Sequence, residues 1–196
     1  VIGIGSGPAG SSAADRLASA GQRVLILEKE RLPRYKPCGG GLTLKVKALL
    51  AFDFSETIEA SITRLALSHD SGKRLITPYE HVVGWMVMRD KFDYFLAQKA
   101  VSAGAELRDG VTVERVEQDA TGVTVFGKGW TERARFVVGA DGANGITAKS
   151  AGVMARRHNG AALEAEIQVS SSALTRWHDA MLLDFGSVPW GYAWIF

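Results

Sequence analysis

With a single cysteine, Cys38, the chain can form no internal disulfide, and a reducing compartment is expected. The four histidines, His69, His81, His158 and His178, lie far apart and have no cysteine at ligand spacing, so no metal site is expected. An excess of either charge is also lacking. The 23 Lys and Arg against 21 Asp and Glu leave a scattered net charge of +2, which excludes the basic stripe of a nucleic-acid binder. No apolar run is long enough to cross a bilayer and no secretory leader pattern is visible, so the expected setting is cytoplasmic. A starting Met is missing too. The sequence opens inside an apolar run and stops at Trp194-Ile195-Phe196, within a strand-like segment, which predicts a piece of a longer protein.

What remains is ordinary globular material: 196 residues, 46% hydrophobic and 22% charged, enough to bury a core. Residues 1–4 read as a short buried strand, 8–20 as an amphipathic helix closed by Gly21, and 23–28 as a second strand, forming a βαβ unit. A Pro- and Gly-rich loop covers 31–42. Residues 44–87 mix helix and strand signals, with Asp70-Ser71-Gly72-Lys73 as a hairpin turn. Phe92, Phe95, Leu96, Lys99 and Ala100 fall at helical spacing in 90–103, ahead of Gly104. Strands at 111–116, 123–126 and 131–135 predict an antiparallel meander. A buried strand at 136–140 then ends in Asp141-Gly142, and alternation returns at 163–169, 180–185 and 192–196.

Gly5-Ser6-Gly7-Pro8-Ala9-Gly10 has the G-x-G-x-x-G spacing. The first glycine permits a tight turn, the second lets a pyrophosphate approach the backbone, and the third lets helix and strand pack closely. The free N–H groups and dipole of the following helix favour phosphate. Glycine clusters also make ordinary turns, but this one follows a strand and opens a helix. It is answered by Glu28 at the end of the next strand, where a carboxylate can accept from ribose hydroxyls and disfavours a 2′-phosphate. The expected ligand is the ADP half of a dinucleotide, held by Gly5, Gly7, Pro8, Ala9, Gly10, Glu28 and Lys29. Ala140-Asp141-Gly142 stands at the carboxyl end of a strand, where open α/β sheets place ligands, and Asp141 is a candidate for a ribityl hydroxyl. An Asp-Gly turn after any strand is the plainer reading.

This order of elements (βαβ with Glu28, a long insertion, a helix opening near Arg89, a meander, then Asp-Gly) resembles the FAD domain of the para-hydroxybenzoate hydroxylase-like flavoproteins. The resemblance implies an α/β fold: a Rossmann-like FAD-binding domain of the glutathione reductase type, with an inserted β-meander and part of a mixed-sheet substrate domain. It implies a discontinuous cofactor domain at 1–47 and 89–152 and a partial substrate domain at 48–88 and 153–196. It also implies contact of Arg89 with FAD and of the backbone near Val113 with the adenosine.

Pro33-Arg34-Tyr35-Lys36-Pro37-Cys38-Gly39-Gly40-Gly41 resembles the P-x-x-Y-x-x-C-G-G stretch of the geranylgeranyl reductase family, and Tyr192-Ala193-Trp194-Ile195-Phe196 its Y-x-W-x-F motif. The chain is then the N-terminal half or so of such a protein, without the family's later Gly-Asp flavin segment. Glycines after Cys38 let the backbone, at Gly39 and Gly40, pass close over a flat ring. Cys38 is then a polarity element, a redox-sensitive thiol, a proton relay, or a small buried residue without chemistry. Tyr35 and Cys38 are the catalytic candidates. On a strand Trp190, Tyr192, Trp194 and Phe196 share one face, suited either to a long apolar isoprenoid or to packing another layer; Trp85 and Met86 stand as possible extensions of such a cavity.

The implied reaction is FAD-dependent reduction of C=C bonds in a polyprenyl chain. The implied partners are an external electron donor, NADPH or ferredoxin, and a membrane surface met peripherally. The alternatives are an FAD-dependent aromatic hydroxylase of the same fold, or a truncated, non-catalytic flavin-binding module.

Overall fold

In the computed structural model, residues 1–153 and 160–196 are described; His158 lies outside them. The chain begins with β1 (Ile2–Ile4), α1 (Pro8–Ser19) and β2 (Leu25–Leu27). The insertion holds β3 (Gly41–Thr43), α2 (Lys45–Leu49), β4 (Ile58–Ile62), β5 (Arg64–His69), β6 (Leu75–Pro78) and β7 (Gly84–Val87). Then come α3 (Arg89–Ser102), β8 (Glu106–Arg108), β9 (Val113–Asp119), β10 (Gly122–Gly127), β11 (Trp130–Ala134) and β12 (Val137–Gly139). The last elements are α4 (Thr147–Ser150), α5 (Ser171–Trp177), β13 (Ala180–Phe185) and β14 (Tyr192–Ile195). No helix among the described residues is long and apolar enough to cross a membrane.

These elements form two compact units, Val1–Lys36 with Asp90–Ala161, and Pro37–Arg89 with Ala162–Phe196. In the first, a parallel sheet runs β12-β1-β2-β8. Its period-two alternation sorts the side chains. Ile26 faces a cluster with Ala14 and Ala18 of α1 and Ala100 of α3, while Ile2, Ile4 and Leu27 face Val125 of the antiparallel meander β9-β10-β11. Small alanines on α1 and α3 let the helices lie close to the sheet, and the meander seals its other face. β8 carries no legible periodicity in three residues, yet it is the fourth strand of this sheet, pairing Leu25–Leu27 in parallel.

The second unit contains a four-stranded sheet, β14-β13-β5-β6, and a three-stranded one, β3-β7-β4. The β13–β5 pairing is parallel and the flanking pairings are antiparallel, so this sheet is mixed. The hairpin turn expected at 70–73 is present. Asp70 and Ser71 take positive φ there, and the buried Asp184 of β13 accepts from Ser71 N–H at 2.8 Å and Ser68 Oγ at 2.5 Å. Arg64 at the start of β5 clasps Asp179 ahead of β13, its Nε 3.0 Å from both carboxylate oxygens.

Two expectations change, and one helix is new. Residues 37–47, placed by sequence with the cofactor domain, pack in the second unit because β3 pairs with β7. The alternating run at 163–169 forms no strand; its Leu163 is 97% exposed, so the pattern lacked a partner to bury it. Instead, Ser170 caps the unforeseen α5, its Oγ accepting from Ala173 N–H.

Candidate functional site

The glycine turn lies between the ends of β1 and α1. Gly5 has φ +96°, and its N–H donates to Leu27 O at 2.8 Å. A Cβ on Gly5 would stand 2.4 Å from Ala140 O, and one on Gly10 would stand 1.9 Å from Gly5 O. The two turns that close β1 and β12 are thus in backbone contact, which only glycine permits. Gly7 differs. Its φ is −66°, and the nearest atom to its Cβ position is Arg34 Nη2 at 3.7 Å, so the chain's own packing does not demand a glycine there. Pro8 takes the first helical position, Ala9 is exposed, and no side chain caps α1. The N–H groups of its first turn therefore have no side-chain cap of their own.

Glu28 follows β2 and is buried. Its Oε2 accepts from Ser6 N–H at 2.8 Å and Ser6 Oγ at 2.7 Å, and its Oε1 accepts from Glu30 N–H at 3.0 Å. Burial, the largest single influence, pushes its pKa up; the three hydrogen bonds and nearby Arg34 together outweigh it and hold the carboxyl below its ordinary value. Glu28 is thus an ionised acceptor fastened to the glycine turn. Lys29 beside it is exposed and pairs with Glu30.

Across the turn, Asp141 Oδ2 accepts from Thr147 N–H at 2.9 Å and Thr147 Oγ1 at 2.8 Å. A Cβ on Gly145 would stand 2.1 Å from Asp141 Cγ, so the carboxylate is folded into its own loop, which it organises. What that turn offers outward is Gly142, at φ +79° with open space where a Cβ would stand. Val113 opens β9 and packs against the cluster of Ile2, Ile4 and Leu27. Arg89 is the first residue of α3.

Sequence reasoning passed over Arg34 and Asp93. Arg34, from the loop after β2, is only 13% exposed at its side chain, and Asp93, one helical turn into α3, is fully buried. Their Nη2 and Oδ2 atoms are 3.2 Å apart. An Asp among the apolar residues of α3 was the available signal, because a carboxylate on the buried face of a helix requires a partner.

In the second unit, the glycines after Cys38 meet neighbours of their own. A Cβ on Gly39 would stand 2.5 Å from Phe196 Cε2 and 2.8 Å from Trp194 Nε1; one on Gly40 would stand 2.1 Å from Val87 O. The rings of Trp194 and Phe196 stack at 6.2 Å, Tyr192 follows at 5.7 Å from Trp194, and Phe185 lies 5.9 Å beyond Tyr192. The aromatic ladder therefore abuts Gly39, and the two motifs distant in sequence are packed together. Trp190 is not in the ladder. It lies before β14 in a turn closed by Gly191 N–H to Val188 O, at φ +61° and wholly exposed, so the alternation that placed it with the others is broken. Cys38 and Tyr35 are both exposed, which removes the reading of Cys38 as a small buried residue. Trp85 of β7 packs edge-on against Phe54, their centroids 5.5 Å apart. We expect Gly39→Ala to displace the ladder: the tryptophan emission spectrum should shift, and the shift should vanish in a Trp194→Phe background.

A parallel sheet with a glycine turn at the first strand, an acid after the second and a meander over one face defines a dinucleotide-binding domain of the flavoprotein type. The FAD binding domain family model matches residues 1–184, and the chain belongs to that family, so its cofactor is FAD. The cradle at Gly7, the ionised Glu28 and the open Gly142 fit that group. The chain is 35% identical over 148 residues to the geranylgeranyl diphosphate reductase of Rhodobacter capsulatus, covering 72% of this chain and 37% of the relative. It is 27% identical over 203 residues to the digeranylgeranylglycerophospholipid reductase of Methanococcus vannielii, covering 100% and 52%. Among solved structures, a geranylgeranyl bacteriochlorophyll reductase-like protein of Thermoplasma acidophilum superposes with a TM-score of 0.79 at 25% identity, over 100% of this chain and 52% of that one. The chain thus spans about half or less of the length of these relatives.

Proposed function

We propose that the protein carrying this chain is an FAD-dependent oxidoreductase that reduces C=C bonds of a polyprenyl chain of the geranylgeranyl type. The observation that carries the reading is the seating of the aromatic ladder on Gly39, beside Cys38, which joins the two reductase-like motifs in one packed cluster. The names of two relatives matched over the whole of this chain support it. When bound and reduced, FAD supplies a hydride to one alkene carbon, while a proton goes to the other.

In this reading the chain's residues divide the work. Gly5, Gly7 and Gly10 admit the pyrophosphate, and Glu28 accepts from the ribose. Arg89, the Val113 backbone, and Asp141 with Gly142 complete the cofactor contacts. Tyr192, Trp194 and Phe196 present flat apolar surface along which an isoprenoid lies and from which water is excluded. Cys38 and Tyr35 are the proton-handling side chains of the loop. Electrons come from NADPH or a ferredoxin, and the apolar substrate is met at a membrane surface.

The test is anaerobic. The protein, with its flavin chemically reduced, is given geranylgeranyl diphosphate, and the product is weighed by mass spectrometry. We expect hydrogens to be added with no need for oxygen. A product containing new oxygen, formed only in air, would establish the hydroxylase reading instead. A flavin that no donor reduces would leave only a binding module.

A further inference from the structure

We propose that Arg34 and Asp93 form a positioning pair for the phosphates of the nucleotide, Asp93 holding the guanidinium of Arg34 so that its Nη2 edge, beside Gly7, serves an anionic oxygen there. The inference rests on the reading that the turn takes the ADP half of FAD.

Three observations meet at Arg34. Its Nη2 is 3.7 Å from the point where a Cβ on Gly7 would stand, so the guanidinium borders the one glycine of the turn whose small size the chain's own packing does not explain. It lies between two buried carboxylates but is held unevenly: Nη2 is 3.2 Å from Asp93 Oδ2, while Nε is 3.9 Å from Glu28 Oε1, beyond hydrogen-bond length. Its Nη1 is sealed from solvent and has no hydrogen-bond partner.

A guanidinium is always charged and carries five donors in a rigid fork. Burying one with a donor unmet is costly, and such a group in a native fold calls for an explanation. At the Nη2 edge the matching acceptor is an anionic oxygen, which a guanidinium binds more strongly than a neutral one. The helix N-terminus beside Gly7 favours a phosphate at the same place. Asp93 then has a definite task. Released from it, the guanidinium would close on Glu28, leaving the phosphates and occupying the acceptor meant for the ribose.

The experiment compares ADP, FAD and adenosine by isothermal titration against the full chain, stripped of any flavin bound during purification. Arg34→Met should weaken ADP and FAD by about tenfold or more, the loss of one or two charge-assisted hydrogen bonds, and leave adenosine nearly unchanged. Arg34→Lys should recover part of the loss, since it keeps the charge without the fork. Asp93→Asn separates positioning from simple charge. Removing a carboxylate near an anion tightens ADP if only Coulomb forces act, whereas loss of positioning weakens it several-fold.

Tighter ADP in Asp93→Asn, or equal losses for ADP and adenosine in both Asp93→Asn and Arg34→Met, overturns the pair while the nucleotide site stands. An unaltered chain that binds ADP no better than adenosine overturns the phosphate cradle itself, and the pair with it. If Arg34→Met does not fold, Arg34→Lys and Asp93→Asn decide by the same ratio of ADP to adenosine affinity.

Discussion

Gly7→Ala should fold as the unaltered protein does and yet come off the column without flavin, whereas Gly10→Ala should lose both flavin and stability. The two glycines stand three residues apart in one motif, but their surroundings differ. A methyl group at Gly10 would stand 1.9 Å from the carbonyl oxygen of Gly5 and 3.2 Å from Ala140 Cβ. Backbone cannot swing aside as a side chain can, so α1 must lift from β1 or the Gly5 turn must leave Ala140. Overpacking of this kind typically costs about 1–3 kcal/mol. At Gly7 the methyl meets only Arg34 Nη2, at an ordinary 3.7 Å, and φ is −66°, a conformation that alanine adopts freely and that a residue before proline favours. It fills the place where the pyrophosphate must come near the backbone. The measurement is the flavin-to-protein absorbance ratio alongside the urea midpoint. Equal loss of stability in both variants would show that Gly7 serves the fold and not the ligand.

Glu28→Gln should lower stability and flavin affinity together and remove part of the protein's acid sensitivity. Both Glu28 oxygens face N–H donors, Ser6 on one side and Glu30 on the other. An amide has one oxygen, so its NH2 must point at a donor whichever way it turns, leaving a buried clash of donors worth about 1–3 kcal/mol. The pH dependence follows from the carboxyl's lowered pKa. Its stabilising contribution is complete above the ordinary value of about 4.5 and is lost as pH falls through the lower folded-state value. The unaltered protein should therefore lose more stability than Glu28→Gln across that acid window, in urea titrations at stepped pH. Parallel curves would mean that Glu28 is not ionised in the fold.

Much of the first unit was legible because its signals are local. The strand, turn, helix and acid of residues 1–28 lie within one supersecondary motif, and the meander is joined by short turns, so spacing along the chain mirrors spacing in the fold. β8 escaped notice because its three residues carry one apolar side chain, Leu107, between two charged ones, and 163–169 misled because alternation records a capacity to pair, not the presence of a partner. Trp190 failed for a related reason: period-two arguments hold only while the backbone stays extended, and the turn at Gly191 ends that before Tyr192.

By itself the sequence determined that β1 ends in a glycine turn with an acid waiting after β2, since glycine's freedom to take positive φ and the carboxylate of Glu28 are properties of those residue types wherever they fold. Only the tertiary structure decided what each glycine is for. Gly10 is hemmed in by the Gly5 backbone, Gly7 meets only Arg34 Nη2 at an ordinary distance, and Gly39 lies under Trp194 and Phe196. It also decided that Arg34 and Asp93 meet. The physical reason is that a long-range contact depends on how separate elements stack, and that choice is made by burial of whole faces, which no single stretch of sequence carries.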